Sequence, residues 1–380
     1  MPNIFLSSIF QQTIISALGI IKLRRIFETH NLEFAGNFYL MSSLFYISIL
    51  VYDSSRKSIL TNTQSNYSLN MKAITHTLVK NAFIILVIQL LFVLVITNSA
   101  FGKNLDSKNG LITIFLIVQF QSISSVFVTL FTVKFGFTKI NLISSLSNIL
   151  FFPIFYYTCE YANLSEILIT NFAPVVLPGL IMIPIVMKSK ILENSKKSSE
   201  LPKRYSRFLV IQFSENTANS LNTILISNRI GLDSVGEYSF FSRFALLYDF
   251  VPMALFPYLI KKRSDLTLKT SRLITFILFM NAFFITLICT VCYTEIITFL
   301  SDGKIQPELS SLLPYLFAGC IISLTSFSIQ NSVSIDILHS RAIISLIFLA
   351  LNLICTWIWL PVYGSSFAYT MTVFDPSLNI

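Results

Sequence analysis

Apolar runs without a charged residue recur along the whole chain, each about as long as the ~20 residues at 1.5 Å rise that span ~30 Å of hydrocarbon. Read between charged positions, they predict helices at 3–21, 34–52, 81–99, 110–131, 140–158, 167–187, 207–228, 237–260, 273–295, 309–334 and 342–360. A twelfth begins near Ser365 and is followed within ten residues by Asp375 and Pro376, so it is expected to be short or truncated. The expected fold class is therefore all-α: a polytopic transmembrane bundle of about 12 helices in two six-helix lobes. The opening MPNIFLSSIFQQ has no basic segment before its apolar run and no small-residue cleavage site, and it reads as a retained first helix.

Composition narrows this further. Of 380 residues 54% are hydrophobic and 12% charged, with mean hydropathy +0.72, which is more apolar surface than one soluble core can bury. The net charge of +9 does not point to nucleic acid, because the basic residues follow the helix map. With the N-terminus inside, 19 of the 27 lysines and arginines fall in cytoplasmic segments and seven in outer ones, and Arg243 lies within a span. That asymmetry is the positive-inside rule and predicts both termini cytoplasmic. The polar stretch 188–206, rich in lysine and serine, separates helices 1–6 (1–187) from the rest (207–380) as a cytoplasmic linker. Across it a weak repeat appears at an offset of 200: LEFAGNF at 32–38 lies over LDSVGEY at 232–238, and Gln12 over Gln212. Prolines cluster at Pro174, Pro178 and Pro184 and at Pro252 and Pro257, where kinked helices could form a cavity or membrane helices merely tolerate them.

Catalytic signatures are sparse. No GxxxxGK[ST], HExxH or GxSxG is present, and His30, His76 and His339 lie apart, so neither a cofactor nor a metal site is expected. The cysteines Cys159, Cys289, Cys292, Cys320 and Cys355 sit in or beside apolar runs and read as small hydrophobic packing residues, the Cys289–Cys292 CxxC included.

Polar residues inside the spans are more informative. Gln212, Glu215, Asn216, Asn219, Asn222 and Thr223 recur at spacings of three and four, which gathers them on one face of the seventh helix. Ser8, Gln11, Gln12 and Ser16 make a smaller stripe in the first. Such stripes either hydrogen-bond between helices or line a wet cavity. Glu215 favours the second reading, since a carboxylate at mid-bilayer costs roughly 2.5 to 3.5 kcal/mol even on insertion scales. In the eighth helix Arg243 and Asp249 are six positions apart. Arg243 cannot shed its charge, so it pairs with Glu215 or Asp249 or receives an anionic ligand. Arg24 and Arg25, beside the first span, are interfacial anchors or further cationic contacts.

The stretch ILISNRIGLDSVGEYSFFSRFALLYDFVPMALFPYL resembles the seventh-to-eighth helix region of polysaccharide repeat-unit (O-antigen) flippases. These form the polysaccharide transporter branch of the multidrug/oligosaccharidyl-lipid/polysaccharide (MOP) exporter superfamily. LEFAGNFYL, VYDSSRKSI and WLPVYGSSFAYT are similar more loosely. The resemblance implies a V-shaped, two-lobed bundle that moves an undecaprenyl-pyrophosphate-linked oligosaccharide across the inner membrane by alternating access. It implies substrate contacts from Arg243, Gln212, Glu215, Asn219, Asn222, Arg24 and Arg25. Coupling to H+ or Na+ would fall to Glu215 and Asp249, with membrane lipids, a polysaccharide polymerase and a chain-length regulator as partners. A cation-coupled multidrug exporter of the same superfamily, a polytopic membrane enzyme such as the polymerase, and a non-transporting assembly subunit are the alternatives.

Overall fold

The computed structural model describes residues 2–63, 83, 86, 87, 90, 105–188, 220–248, 250–255, 268–331 and 335–364. Among them the regular elements are all helical, and ten are named here in chain order: α1 (Pro2–Thr29), α2 (Leu32–Thr63), α3 (Leu105–Phe135), α4 (Phe137–Tyr161), α5 (Leu164–Lys188), α6 (Leu232–Leu247), α7 (Leu268–Val291), α8 (Tyr293–Ser301), α9 (Leu309–Asn331) and α10 (Ile335–Tyr363). Residues 220–229 are helical as well and lead into α6 through Gly231. At φ 130° that glycine takes a backbone conformation that side chains disfavour, and the chain turns sharply there.

Six of the described helices are long and apolar enough to cross a membrane: Leu6–Thr29, Lys108–Thr132, Phe137–Tyr161, Leu164–Val186, Thr270–Val291 and Ile343–Val362. Their outward faces are apolar. On α7 the side chains of Phe276, Phe279, Phe283 and Leu287 are exposed at helical spacing, while Ile274, Leu278 and Ala282 are buried. On α1 Leu6, Phe10 and Ile15 are exposed, whereas Ser8 is buried and Gln11, Gln12 and Ser16 are half-buried. Water would reverse that preference; hydrocarbon accounts for it. The protein is an integral membrane helix bundle.

The chain divides into two compact units, Met1–Leu40 with Thr217–Ile380, and Met41–Asn216. The division falls inside α2. In the second of these, α3, α4 and α5 pack through small residues. A Cβ on Gly179 would overlap Ser124, so α3 and α5 approach to backbone contact. Val128, Phe131, Ile140, Met182 and Val186 form an apolar cluster, and Phe45 stacks on Phe172 at 3.9 Å between ring centroids. Buried hydroxyls bond within their own helices: Thr129 donates to the Ser125 carbonyl at 2.7 Å, Thr132 to Val128 at 2.7 Å and Ser145 to Asn141 at 2.8 Å. Pro174 and Pro178 are buried within a continuous α5.

The other unit is more aromatic. Phe240, Phe241 and Phe244 on α6 meet Tyr315 of α9 and Phe27 of α1. The helix break after α6 is stitched by Tyr248, whose hydroxyl lies 2.7 Å from Thr286 Oγ1 and whose carbonyl accepts a 3.2 Å bond from the Asn281 amide. Gly319 makes room for the Tyr248 ring.

Helix limits differ from the sequence pattern at several ends: α2 runs to Thr63 although its apolar run stops at 52, and α10 begins at Ile335, ahead of its run at 342. α1 continues past Lys22, Arg24 and Arg25 to Thr29, because an interfacial arginine ends hydrophobicity without ending the helix. The ninth apolar run stops at Val291, and Cys292 starts the separate short helix α8. The segments 64–82 and 189–219, with the cytoplasmic linker 188–206 except for Lys188, and the twelfth apolar run after Gly364 lie outside the described residues.

Candidate functional site

Arg24, Arg25 and Arg243 are carried by helices of one compact unit. Arg25 is buried near the end of α1, where its guanidinium reaches Glu28 at 3.2 Å on the next turn. Arg24, one position away and thus about 100° around the helix, lies 3.8 Å from the centroid of the Phe299 ring of α8. Arg243 is half-buried on α6, with its guanidinium 5.2 Å from the centroid of the Tyr39 ring of α2. A cation over an aromatic face is attracted by the ring quadrupole, worth ~0.5 to 2 kcal/mol, which steadies the guanidinium.

Packing explains why these elements converge. Phe27, two residues after Arg25, meets Phe240 edge-on at 5.3 Å, and Phe240 is one turn before Arg243. The start of α2 reaches α6 by a closer route. A Cβ on Gly36 would overlap the Leu232 carbonyl oxygen, and one on Gly236 would lie 2.6 Å from the Leu32 carbonyl oxygen. The two halves of that contact are each other's counterparts at the offset of 200. Tyr39, three residues beyond Gly36, is placed beside Arg243 by this crossing.

The polar stripe of the seventh apolar run is only partly in view. Asn222 is fully buried. Thr223 is also buried. Gln212, Glu215, Asn216, Asn219 and Asp249 lie outside the described residues. Among the described residues no three His, Cys, Asp or Glu side chains are grouped to hold a metal ion, and none of the five cysteines forms a disulfide.

Two contributors escape sequence reasoning. Tyr39 is one aromatic among many in a hydrophobic helix. Lys304 looks like an ordinary loop lysine, yet its ammonium donates to the carbonyl oxygens of Phe27, Glu28 and His30 at the end of α1. Gly36 and Gly236 were detectable, since they are matched positions of the repeat.

The architecture is that of a polytopic helix bundle. No protein-family model matches the sequence, and no curated protein matches it either. Solved structures do. The chain is similar to the lipid II flippase MurJ in an inward closed conformation, with TM-score 0.65 and 15% identity over 99% of this chain and 85% of that one. It is similar to a point mutant of the Vibrio cholerae MATE transporter VcmN, with TM-score 0.64 and 12% identity over 98% and 92% of the two chains. A multidrug-resistance MATE transporter of the MOP superfamily in an inward-facing conformation gives TM-score 0.57 and 12% identity over 98% and 94%. At these identities the likeness is one of fold.

Proposed function

We propose that the protein is a flippase that moves an undecaprenyl-pyrophosphate-linked oligosaccharide repeat unit, of O-antigen or capsule type, across the bacterial inner membrane by alternating access. The observation that carries this reading is the set of three arginines, Arg24, Arg25 and Arg243, on α1 and α6 of one unit, where two of the three guanidiniums lie over aromatic rings. A permanent cation in an apolar bundle needs an anion, and a pyrophosphate supplies oxygens that suit the planar guanidinium fork. An exporter of cationic drugs would be poorly served by the same set. The similar fold of a lipid II flippase supports the choice of a lipid-linked substrate. Asn222, with Gln212, Glu215 and Asn219 on the same helical face, contributes sugar contacts in this reading. Glu215 and Asp249 couple transport to H+ or Na+. Residues 1–187 and 207–380 form the two lobes about the linker 188–206, and a polymerase and a chain-length regulator act on the delivered product.

Reconstitution tests this directly. Purified protein in liposomes with a fluorescent undecaprenyl-pyrophosphate oligosaccharide should make the inner-leaflet lipid accessible to an external glycosidase, and a strain deleted for the gene should lack surface polysaccharide. Unchanged surface polysaccharide together with export of ethidium from cells would establish the multidrug reading instead. Orientation is tested by cysteines on a cysteine-free background: Ser234→Cys should react with an impermeant thiol reagent added to intact cells, and Ser195→Cys should not. Labelling of Ser195→Cys from outside would invert or break the topology.

A further inference from the structure

The last turn of the helix at 220–229 carries a cation at the protein surface. Arg229 is exposed, and its guanidinium carbon lies 3.5 Å from the centroid of the Trp357 ring near the end of α10. The local backbone fixes where that side chain starts: the amides of Ile230 and Gly231 both donate to the Ile226 carbonyl, at 2.9 and 3.2 Å, and the chain then turns at Gly231. An indole has a quadrupole but no net charge, so the stack holds the guanidinium without neutralising it. Among the described residues no carboxylate is paired with Arg229. Asp233, the nearest acidic residue in sequence, stands in the first turn of α6, where it complements that helix's own dipole.

The surface around this charge is apolar. Ile354, Ile358 and Val362 recur every four residues along α10 and are 56%, 56% and 67% exposed, and Ile230, next to Arg229, is 42% exposed. Trp357, 47% exposed, is three positions from Ile354 and so adjoins that ridge. A soluble anion would use the cation and not the ridge, and a neutral acyl chain the ridge and not the cation. A phospholipid has a group for each. The two halves of the chain also differ here. At the offset of 200, Trp357 falls on Tyr157, itself exposed on α4, whereas Arg229 falls on Thr29. The aromatic position recurs, as the interfacial belt of a membrane protein requires, but the charge does not.

We propose that Arg229 and Trp357 form a selective site for an anionic phospholipid, with the phosphate on the guanidinium and one acyl chain along Ile354, Ile358 and Val362. Phosphatidylglycerol suits it. Phosphatidylcholine offers the same phosphate but brings its own cation, which the arginine repels. The site concerns the lipid around the protein and holds whatever cargo is carried.

Trp357 and Trp359 are the two tryptophans of the chain, so Trp359→Phe leaves one fluorophore, inside the proposed site. That protein is reconstituted in mixed bilayers of phosphatidylglycerol and phosphatidylcholine, in which one or the other lipid carries brominated acyl chains that quench indole on contact. Quenching should show phosphatidylglycerol favoured beside Trp357 by about fivefold, the factor one basic residue contributes near an anionic lipid surface. Arg229→Gln should bring that ratio to about one and leave membrane abundance unchanged, and Arg229→Lys should keep part of the preference. Lys108→Gln removes an exposed charge elsewhere and should leave the ratio as it was. Absence of a preference in the parent would overturn the proposal, as would a preference that survives Arg229→Gln. An equal fall in Lys108→Gln would also overturn it, by making the preference a property of overall charge. So would displacement of brominated phosphatidylglycerol by a small mole fraction of undecaprenyl pyrophosphate, which would assign the arginine to the transported lipid.

Discussion

Both compact units contain serines and threonines that bond back within their own helix, but the arginine contacts and the long-range lysine described above lie in only one of them. In Met41–Asn216 the buried polar side chains of α3, α4 and α5 include serines and threonines that bond back to carbonyls of their own helix, such as Ser122 to Val118 at 2.7 Å and Thr132 to Val128 at 2.7 Å. These neutral groups are satisfied locally, and the helices pack through small residues and apolar side chains. In the unit of Met1–Leu40 with Thr217–Ile380, arginines are placed on α1 and α6 and met by rings and a single carboxylate, and a lysine reaches across the fold to free carbonyls. Polarity that is satisfied within one helix permits close packing. Polarity that needs a partner from elsewhere ties together segments far apart in sequence.

This contrast can be broken by mutation, and the largest effect is expected at Arg243. Arg243→Ala should abolish surface polysaccharide while membrane abundance stays near normal, because the guanidinium is half-buried over Tyr39 and its removal leaves an ordinary aromatic surface. Arg243→Lys should retain part of the activity, since the charge survives and the bidentate geometry does not. If Arg243 instead neutralises a carboxylate, Arg243→Ala would lower abundance, and pairing it with Glu215→Gln or Asp249→Asn would restore it. Immunoblots of membranes beside polysaccharide gels separate the two outcomes.

In the other unit the large effect should fall on folding. Gly179→Val drives a branched side chain into Ser124 and is expected to cost ~1 to 3 kcal/mol or more, read as lower abundance and a lower melting temperature in detergent. A smaller loss is expected from Tyr248→Phe, which removes the 2.7 Å bond to Thr286 and should cost about 1 kcal/mol by the same thermal assay. Smallest of all is Thr129→Val. Its hydroxyl serves only the preceding turn, so stability should change by no more than ~0.5 kcal/mol, and transport should be unaltered. A strong transport defect in Thr129→Val would show that the serine and threonine array does more than pack.

Much of the fold was legible because a bilayer demands that each backbone amide be paired within its own segment, so a run of about 20 apolar residues is already a helix. The runs at 110–131, 140–158 and 167–187 reappear inside α3, α4 and α5, extended at their ends by helix that charge does not interrupt. The same rule misplaces boundaries where helix outlasts hydrophobicity, as at Arg24 and Arg25. Of the candidate site, Arg243 and Asn222 could be singled out since polar groups in a span are costly, and Gly36 and Gly236 because the repeat aligns them. Tyr39 and Lys304 could not. A ring among many rings, or a lysine in a loop, acquires a role only through what lies opposite, and local sequence does not encode that.

What the sequence alone determined is the membrane as solvent, the helical class and a short set of intramembrane polar residues, all consequences of the cost of exposing polar groups to hydrocarbon. Tertiary structure decided which of them share a neighbourhood. The grouping of Met1–Leu40 with the C-terminal part of the chain, the reciprocal glycine contact and the capture of α1's last carbonyls by Lys304 join residues about 200 and more positions apart. Those pairings depend on helix packing and on the shape of two backbones at their crossing, quantities that no run of neighbouring residues contains.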